Sequence, residues 1–459
     1  MIKNKFSNFS ACELGIEIAY KNIDPVELTE YFLELIYSSP PASKLSFIKV
    51  LQDRSIKEAK ESRNRVKKNR MLGPLDGVPC AWKDLFDVKD HATSAGSKLL
   101  VNNIAQKDAE ILQISKHAGQ IFLGKTSTVE FALGGIGTNK NFPCPPNLSL
   151  PGRKHVPGGS SAGSASAVSG GLAPIAVGTD TGGSVRIPAA WQGLVGLKTS
   201  HGLISLKGVV PLAQSLDTIG PLCKNVEDAY TFFKIATRQN FSITDSNNIK
   251  NYKIFICNNL VWDKCEDSLE EDLGLALDVL RKEGADIDSI TVPEISYVNS
   301  DLEEHGELVL YEAWNNWNST IAGNEELVDP NVLYRMNIGK NTDLKDINIL
   351  KHKLNMNKLS LSKTFRKIDV LVMPTVCINP PLIMEVKNEQ KYNYFNKLAL
   401  RNTRFCNVLN LTAISIPIPT HNNKMPVGLM LCSSSGNEKK LLKLAKLCEE
   451  IFLNNKKYK

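Results

Sequence analysis

From residue 78 to about residue 210 the chain alternates short apolar, strand-like runs with Gly/Ser/Thr turns and small-residue helices. That pattern limits the fold more than any other feature, because apolar runs of strand length linked by helices bury themselves best when layered into an α/β sheet. The alternation resumes after Asn225, with strands predicted over 252–257, 369–373, 413–418 and 427–432 and long charged helices between them. The sheet is therefore expected to continue through the C-terminal half. At the other end, Asp24 before Pro25 reads as an N-cap followed by a proline at the first helical position, so the chain is expected to start helical. No fixed-period repeat and no linker rich in Pro, Gly or Ser divides the 459 residues. The expectation is one domain over 1–459: a helical segment over about 1–70, a chemical core over about 72–222, and a polar stretch over about 303–397 as a lid or cap.

Composition narrows the class. Hydrophobic residues at 42% and charged residues at 22% suit a folded globular chain and exclude a disordered or fibrous one. The net charge of +7 comes from scattered lysines, with a mild cluster only at Lys456, Lys457 and Lys459. Nucleic-acid binding needs a concentrated basic face, so those lysines read as a solvated surface. The ten cysteines never come closer than eight residues, which excludes a C-x-x-C redox or zinc pair and points to reduced thiols. Polar and acidic residues interrupt the N-terminus, and no stretch reaches about 18 apolar residues, so a cytoplasmic location is expected.

Two motifs fail on context. Gly119-Gln-Ile-Phe-Leu-Gly124-Lys125-Thr126 matches the phosphate-loop pattern letter for letter. Its middle residues are β-formers, however, and a helix-like segment precedes it where a phosphate loop has a strand. Gly159-Ser160-Ser161-Ala162-Gly163 fits the G-x-S-x-G elbow, yet Arg153-Lys154-His155-Val156-Pro157 ahead of it is charged and interrupted by proline. None of the seven histidines sits in a local metal motif. A Ser–His–Asp triad stays a minor reading.

The chemistry concentrates between Val156 and Thr199. Two Gly-Gly-Ser turns, Gly158-Gly159-Ser160 and Gly182-Gly183-Ser184, flank a small-residue helix and the apolar run 172–177. Glycine lets backbone approach a ligand closely, and a Thr-Gly-Gly-Ser turn entering a helix leaves N–H donors free to face an anion. A glycine- and serine-rich turn taken alone is more often just a loop. Upstream, Lys83 interrupts an otherwise apolar run that starts at Val78. Such a lysine is ordinarily exposed on an edge strand; turned inward, it loses hydration, its pKa falls, and the neutral amine becomes a base.

Together the Lys83 segment, the Gly/Ser stretch and Ser215-Leu-Asp-Thr-Ile-Gly-Pro221 resemble the amidase signature family, most strongly from about residue 72 to 222. That family includes stand-alone amidases, fatty acid amide hydrolase and the A subunit of the tRNA-dependent amidotransferase. The resemblance implies a large mixed β-sheet covered by helices on both faces, and a Ser–cis-Ser–Lys triad hydrolysing a linear amide. In it Ser184 is the acylated nucleophile, Ser160 the bridging serine on a cis peptide bond, and Lys83 the base. The N–H groups of Thr181, Gly182, Gly183 and Ser184 form the oxyanion hole. Ser161 supports the relay by a hydrogen bond. Asp180 and Arg186 flank the nucleophile turn, either as a local ion pair or as substrate contacts. Neither metal nor cofactor is implied. Acyl specificity is expected from residues 144–154 and 303–397.

A stand-alone amidase is favoured over the amidotransferase subunit: the resemblance implies an aspartate near Leu400 in those subunits to contact the glutamine amino group, and Arg401-Asn402-Thr403…Asn407 looks like the stand-alone pattern. Its partners are a small-molecule amide and, as a homodimer, a second copy of the chain, with no membrane. tRNA and amidotransferase partner subunits enter only under the alternative. A catalytically inert binding protein is a third reading, opposed by competent side chains at all three triad positions.

Overall fold

The computed structural model describes residues 5–243, 248–420 and 425–455. The basic cluster at Lys456, Lys457 and Lys459 lies outside them. Among the described residues, eleven strands form one sheet: β1 (Phe47–Val50), β2 (Pro79–Lys83), β3 (Ile121–Thr126), β4 (Ile175–Asp180), β5 (Val195–Lys198), β6 (Thr218–Cys223), β7 (Lys253–Cys257), β8 (Asp286–Ile290), β9 (Val370–Pro374), β10 (Thr412–Ile418) and β11 (Val427–Ser433). Their spatial order is β1-β3-β2-β4-β6-β5-β10-β11-β9-β7-β8. Pairing is parallel for β2 with β3 and β4 and for β7 with β8 and β9, and antiparallel elsewhere, which makes the sheet mixed.

Helices cover both faces, and the period of two along each strand shows why. Ile414, Ile416, Leu429 and Leu431 enter one core with the helices Val226–Thr237 and Glu438–Asn454. Their neighbours Ala413, Met430 and Cys432 enter the opposite core with the helices Pro293–His305 and Leu344–Thr364. Strands buried on both sides must read as nearly continuous apolar runs, which is how β9, β10 and β11 were legible in sequence. Strand β8, Asp-Ile-Asp-Ser-Ile, lies on the sheet edge and is mostly exposed, so it has no such run and no expectation covered it.

The helix expected after Asp24 is present, with Asp24 Oδ1 accepting the N–H groups of Val26 and Glu27 at the head of Pro25–Ser38, but strand β1 interrupts the helical segment expected over 1–70. The phosphate-loop look-alike is β3, with the helix Glu110–His117 ahead of it, so its backbone N–H groups belong to a ladder and wrap no anion. Within 303–397, the helices Leu308–Ile321, Pro330–Lys340 and Leu344–Thr364 precede β9, an interior strand between β11 and β7. All ten cysteines are free. Among the described residues no helix is long and apolar enough to cross a membrane.

Candidate active site

Strand β2 lies inside the sheet between β3 and β4, so the lysine that ends it has no route to solvent. Lys83 is 0% exposed, and its Nζ donates to Ser160 Oγ at 2.8 Å and to Thr179 Oγ1 on β4 at 2.8 Å. Burial pushes its pKa down to about 7, against the opposing pull of the Asp217 and Asp180 charges. The edge-strand alternative for this lysine is thereby excluded.

Ser160 sits on a turn held on every side. The Gly159–Ser160 peptide bond is cis. The Gly158 and Gly159 N–H groups donate to the carbonyls of Ile136 and Gly135, and the Ser160 carbonyl accepts from Val129 N–H and Thr128 Oγ1. Gly158 has φ +78° and a Cβ there would meet Pro188 Cα at 2.7 Å, so the position admits glycine alone. Ser161 N–H donates to the Ser184 carbonyl at 3.3 Å, which fastens the two Gly-Gly-Ser turns together. The Ser161 hydroxyl donates to the Thr179 carbonyl at 3.3 Å, so its contact is with the backbone beside the relay.

The second turn is organised by a carboxylate. Asp180, at the end of β4, accepts Gly183 N–H at 2.9 Å and Val185 N–H at 3.2 Å, and pairs with Arg186 at 3.0 Å. Both side chains are completely buried, and the Arg186 charge beside it holds the Asp180 carboxyl below the usual carboxylate range. Arg186 also donates to the Thr403 carbonyl and to Asn407 Oδ1. Asp180 and Arg186 therefore form the local ion pair, and neither lines the cavity next to Ser184. One of the four expected oxyanion donors is already engaged: the Gly183 N–H donates to Asp180 Oδ1 at 2.9 Å, whereas Thr181, Gly182 and Ser184 line the cavity.

The wall of that cavity is mainly apolar: Ala132, Leu133, Leu212, Leu302, Leu308, Val309, Leu400 and Val408. Three charged side chains reach it. Glu307 pairs with Arg404 at 3.1 Å and with Arg335 at 3.9 Å, while Arg335 Nη1 is buried with no hydrogen-bond partner. From the 303–397 stretch Glu307, Leu308, Val309 and Arg335 line the cavity, whereas none of residues 144–154 does. Sequence reasoning missed the segment 132–134, Leu212 and the two arginines. It had the Arg401-Asn402-Thr403…Asn407 pattern in hand without its role: Thr403 Oγ1 donates to the Gly182 carbonyl at 2.6 Å and Asn407 Nδ2 to the Asp180 carbonyl at 3.0 Å. Among the described residues no cluster of three or more His, Cys, Asp or Glu could hold a metal ion.

The amidase family model matches this chain over residues 27–442. A 2-amino-5-chloromuconic acid deaminase of Comamonas testosteroni is 33% identical over 378 residues, covering 82% of this chain and 81% of its own. The A subunit of glutamyl-tRNA(Gln) amidotransferase from Legionella pneumophila (strain Corby) is 32% identical over 476 aligned positions, covering 95% and 96%. A crystal structure of an amidase superposes with a TM-score of 0.86 at 26% identity, over 97% of this chain and 100% of that one. With a buried lysine, two glycine-flanked serines and a match of this extent, the chain belongs to the amidase signature family, hydrolases that act on amide C–N bonds.

Proposed function

We propose that this protein hydrolyses a linear carboxamide to an acid and ammonia or an amine through an ester on Ser184. The observation that carries the reading is the 2.8 Å contact between Lys83 Nζ and Ser160 Oγ, sealed from water one turn away from a serine that lines a cavity. Neutral Lys83 takes the Ser160 proton, Ser160 takes that of Ser184, and Ser184 Oγ bonds to the carboxamide carbon. The N–H groups of Thr181, Gly182 and Ser184 hold the oxyanion, each worth roughly 3 kcal/mol. Collapse breaks the C–N bond, the leaving nitrogen receives the proton back through the relay, and water cleaves the ester by the same route. The scheme needs neither metal nor organic cofactor.

The cavity favours an acyl group that is apolar along its length and anionic at its far end. Arg335 and Arg404 bring two positive charges against one negative charge from Glu307, and the buried, unpartnered Arg335 Nη1 is a donor suited to a carboxylate. The relative named for a muconic acid derivative is consistent with an acidic substrate. A glutamine-hydrolysing A subunit of a tRNA-dependent amidotransferase is the second reading, favoured by a match to such a protein along 95% of the chain. Leu400 in the cavity wall argues against it, because an apolar side chain leaves the glutamine ammonium without a partner. The test is ammonia release by the purified chain alone from a panel including succinamate, butyramide, biuret and glutamine, with Ser184→Ala as the blank. Turnover of a panel amide supports a stand-alone hydrolase. Strict dependence on charged tRNA and further amidotransferase components reverses the ranking, and absence of Ser184 labelling by a fluorophosphonate favours an inert binding protein.

A further inference from the structure

The Ser215–Pro221 segment carries family resemblance but supplies no proton to the proposed relay, and one of its residues is a buried acid, Asp217. Asp217 Oδ1 accepts the Thr181 hydroxyl at 2.5 Å, and the same carboxylate accepts the N–H groups of Leu212 at 3.0 Å and Ala213 at 3.2 Å. Thr181 opens the nucleophile turn and Leu212 forms part of the cavity wall, so one side chain ties the turn to the wall. The next residue completes the grip: Thr218 Oγ1 donates to the Asp180 carbonyl at 2.7 Å. That carbonyl belongs to the same peptide unit as the Thr181 N–H. In a trans peptide the C=O and N–H point in opposite directions, so holding the oxygen and the adjoining side chain fixes where the N–H aims.

We propose that Asp217 is a positioning residue of the reaction: through the Thr181 hydroxyl it fixes the peptide whose N–H faces the developing oxyanion. The proposal rests on the amide-hydrolase reading above. Asp217 also acts on Lys83, and its negative charge pulls the lysine pKa upward against burial. Burial in turn raises the Asp217 carboxyl to about 6. Replacing the acid by its amide therefore has two separable consequences, a misaimed donor and a more readily deprotonated base.

The experiment measures the second-order rate of Ser184 phosphonylation by a fluorophosphonate from pH 5.5 to 9, in wild type, Asp217→Asn, Thr181→Val and the double variant. The probe's P=O takes the oxyanion site and fluoride leaves, so the rate reports donor alignment whatever the natural amide is. A misaimed donor should slow labelling about 10- to 100-fold in each single variant, somewhat less than deletion of a donor. The double variant should lose no more than the worse single one, because both remove the same contact. The acid limb should move to lower pH in Asp217→Asn and stay put in Thr181→Val, a difference that simple loosening of the scaffold does not produce. Thr181→Val labelling within twofold of wild type, losses that multiply in the double variant, or an unmoved acid limb in folded Asp217→Asn would overturn the proposal. Should Asp217→Asn not fold, the Thr181→Val rate alone decides. Failure of the underlying reading is distinct: wild type would then take no label on Ser184.

Discussion

A lysine that ends an interior strand is the residue on which the proposed chemistry turns. Its amine is 0% exposed, and burial lowers its pKa to about 7 from the ordinary 10.5. Since only the neutral amine takes a proton, kcat/KM for a panel amide should rise with pH through an acid limb near 7. Lys83→Ala should leave the circular dichroism spectrum unchanged and lower kcat by several orders of magnitude; near-normal turnover would mean another group is the base. The linkage runs the other way for stability. Because the unfolded chain binds this proton more tightly, the buried amine costs stability fully below about pH 7 and not at all above the unfolded value. Lys83→Met should accordingly raise Tm at pH 7 while abolishing Ser184 labelling, the trade-off expected where function holds a destabilised group in place. Arg335 makes its prediction in substrate space: Arg335→Gln should raise KM for succinamate about tenfold or more and leave butyramide nearly unchanged, as loss of one charge-assisted hydrogen bond requires. Equal effects on both amides would remove the case for an anionic substrate.

At the scale of elements, the helix Glu389–Val408 is the clamp on the turn that carries the proposed nucleophile. Thr403 fixes the Gly182 carbonyl while Asp180 takes the N–H at the other side of the same peptide, so this peptide unit is held at both ends. Gly183 has φ +132°, and a Cβ there would lie 2.1 Å from Thr403 Oγ1, which shows how closely helix and turn approach. Thr403→Val keeps the shape and removes the hydroxyl. It should cost about 1–2 kcal/mol in urea unfolding and slow turnover about tenfold, the stability loss being that of an unsatisfied buried carbonyl. Unchanged kcat would show that the turn holds its form without the helix.

Across the whole molecule, Arg186 joins parts of the chain more than 200 residues apart. Its guanidinium pairs with Asp180, donates to the Thr403 carbonyl and to Asn407, and touches Met430 on β11, all without exposure to water. Arg186→Met would leave the Asp180 carboxylate buried and unpaired, a loss of about 3–5 kcal/mol at pH 7. In wild type the pair holds the Asp180 pKa below its unfolded value, so its contribution is complete above the ordinary carboxylate range and wanes only in stronger acid. In the variant, burial drives that pKa upward, so the deficit in Tm should narrow as pH falls. A deficit independent of pH would mean that packing, not the orphaned charge, is what the arginine supplies.

The α/β class, most of the apolar strands and the helical start were legible in the linear chain from local information: hydrophobic runs of strand length and a proline behind a capping aspartate. The roles proposed for Lys83, Ser160 and Ser184 come instead from the resemblance to a family, carried by the order and spacing of a lysine and two glycine-flanked serines. The edge strand β8 escaped because exposure had removed its apolar signal. What only the tertiary structure decided is which way Lys83 points, which N–H groups remain open, and what lines the cavity. Ala132, Leu212, Leu308, Arg335 and Leu400 share one wall only because an eleven-stranded sheet closes over distant segments. The Gly183 N–H shows the same in miniature: a carboxylate three residues upstream claims it, and the direction of a hydrogen bond is fixed by folding, not by spacing.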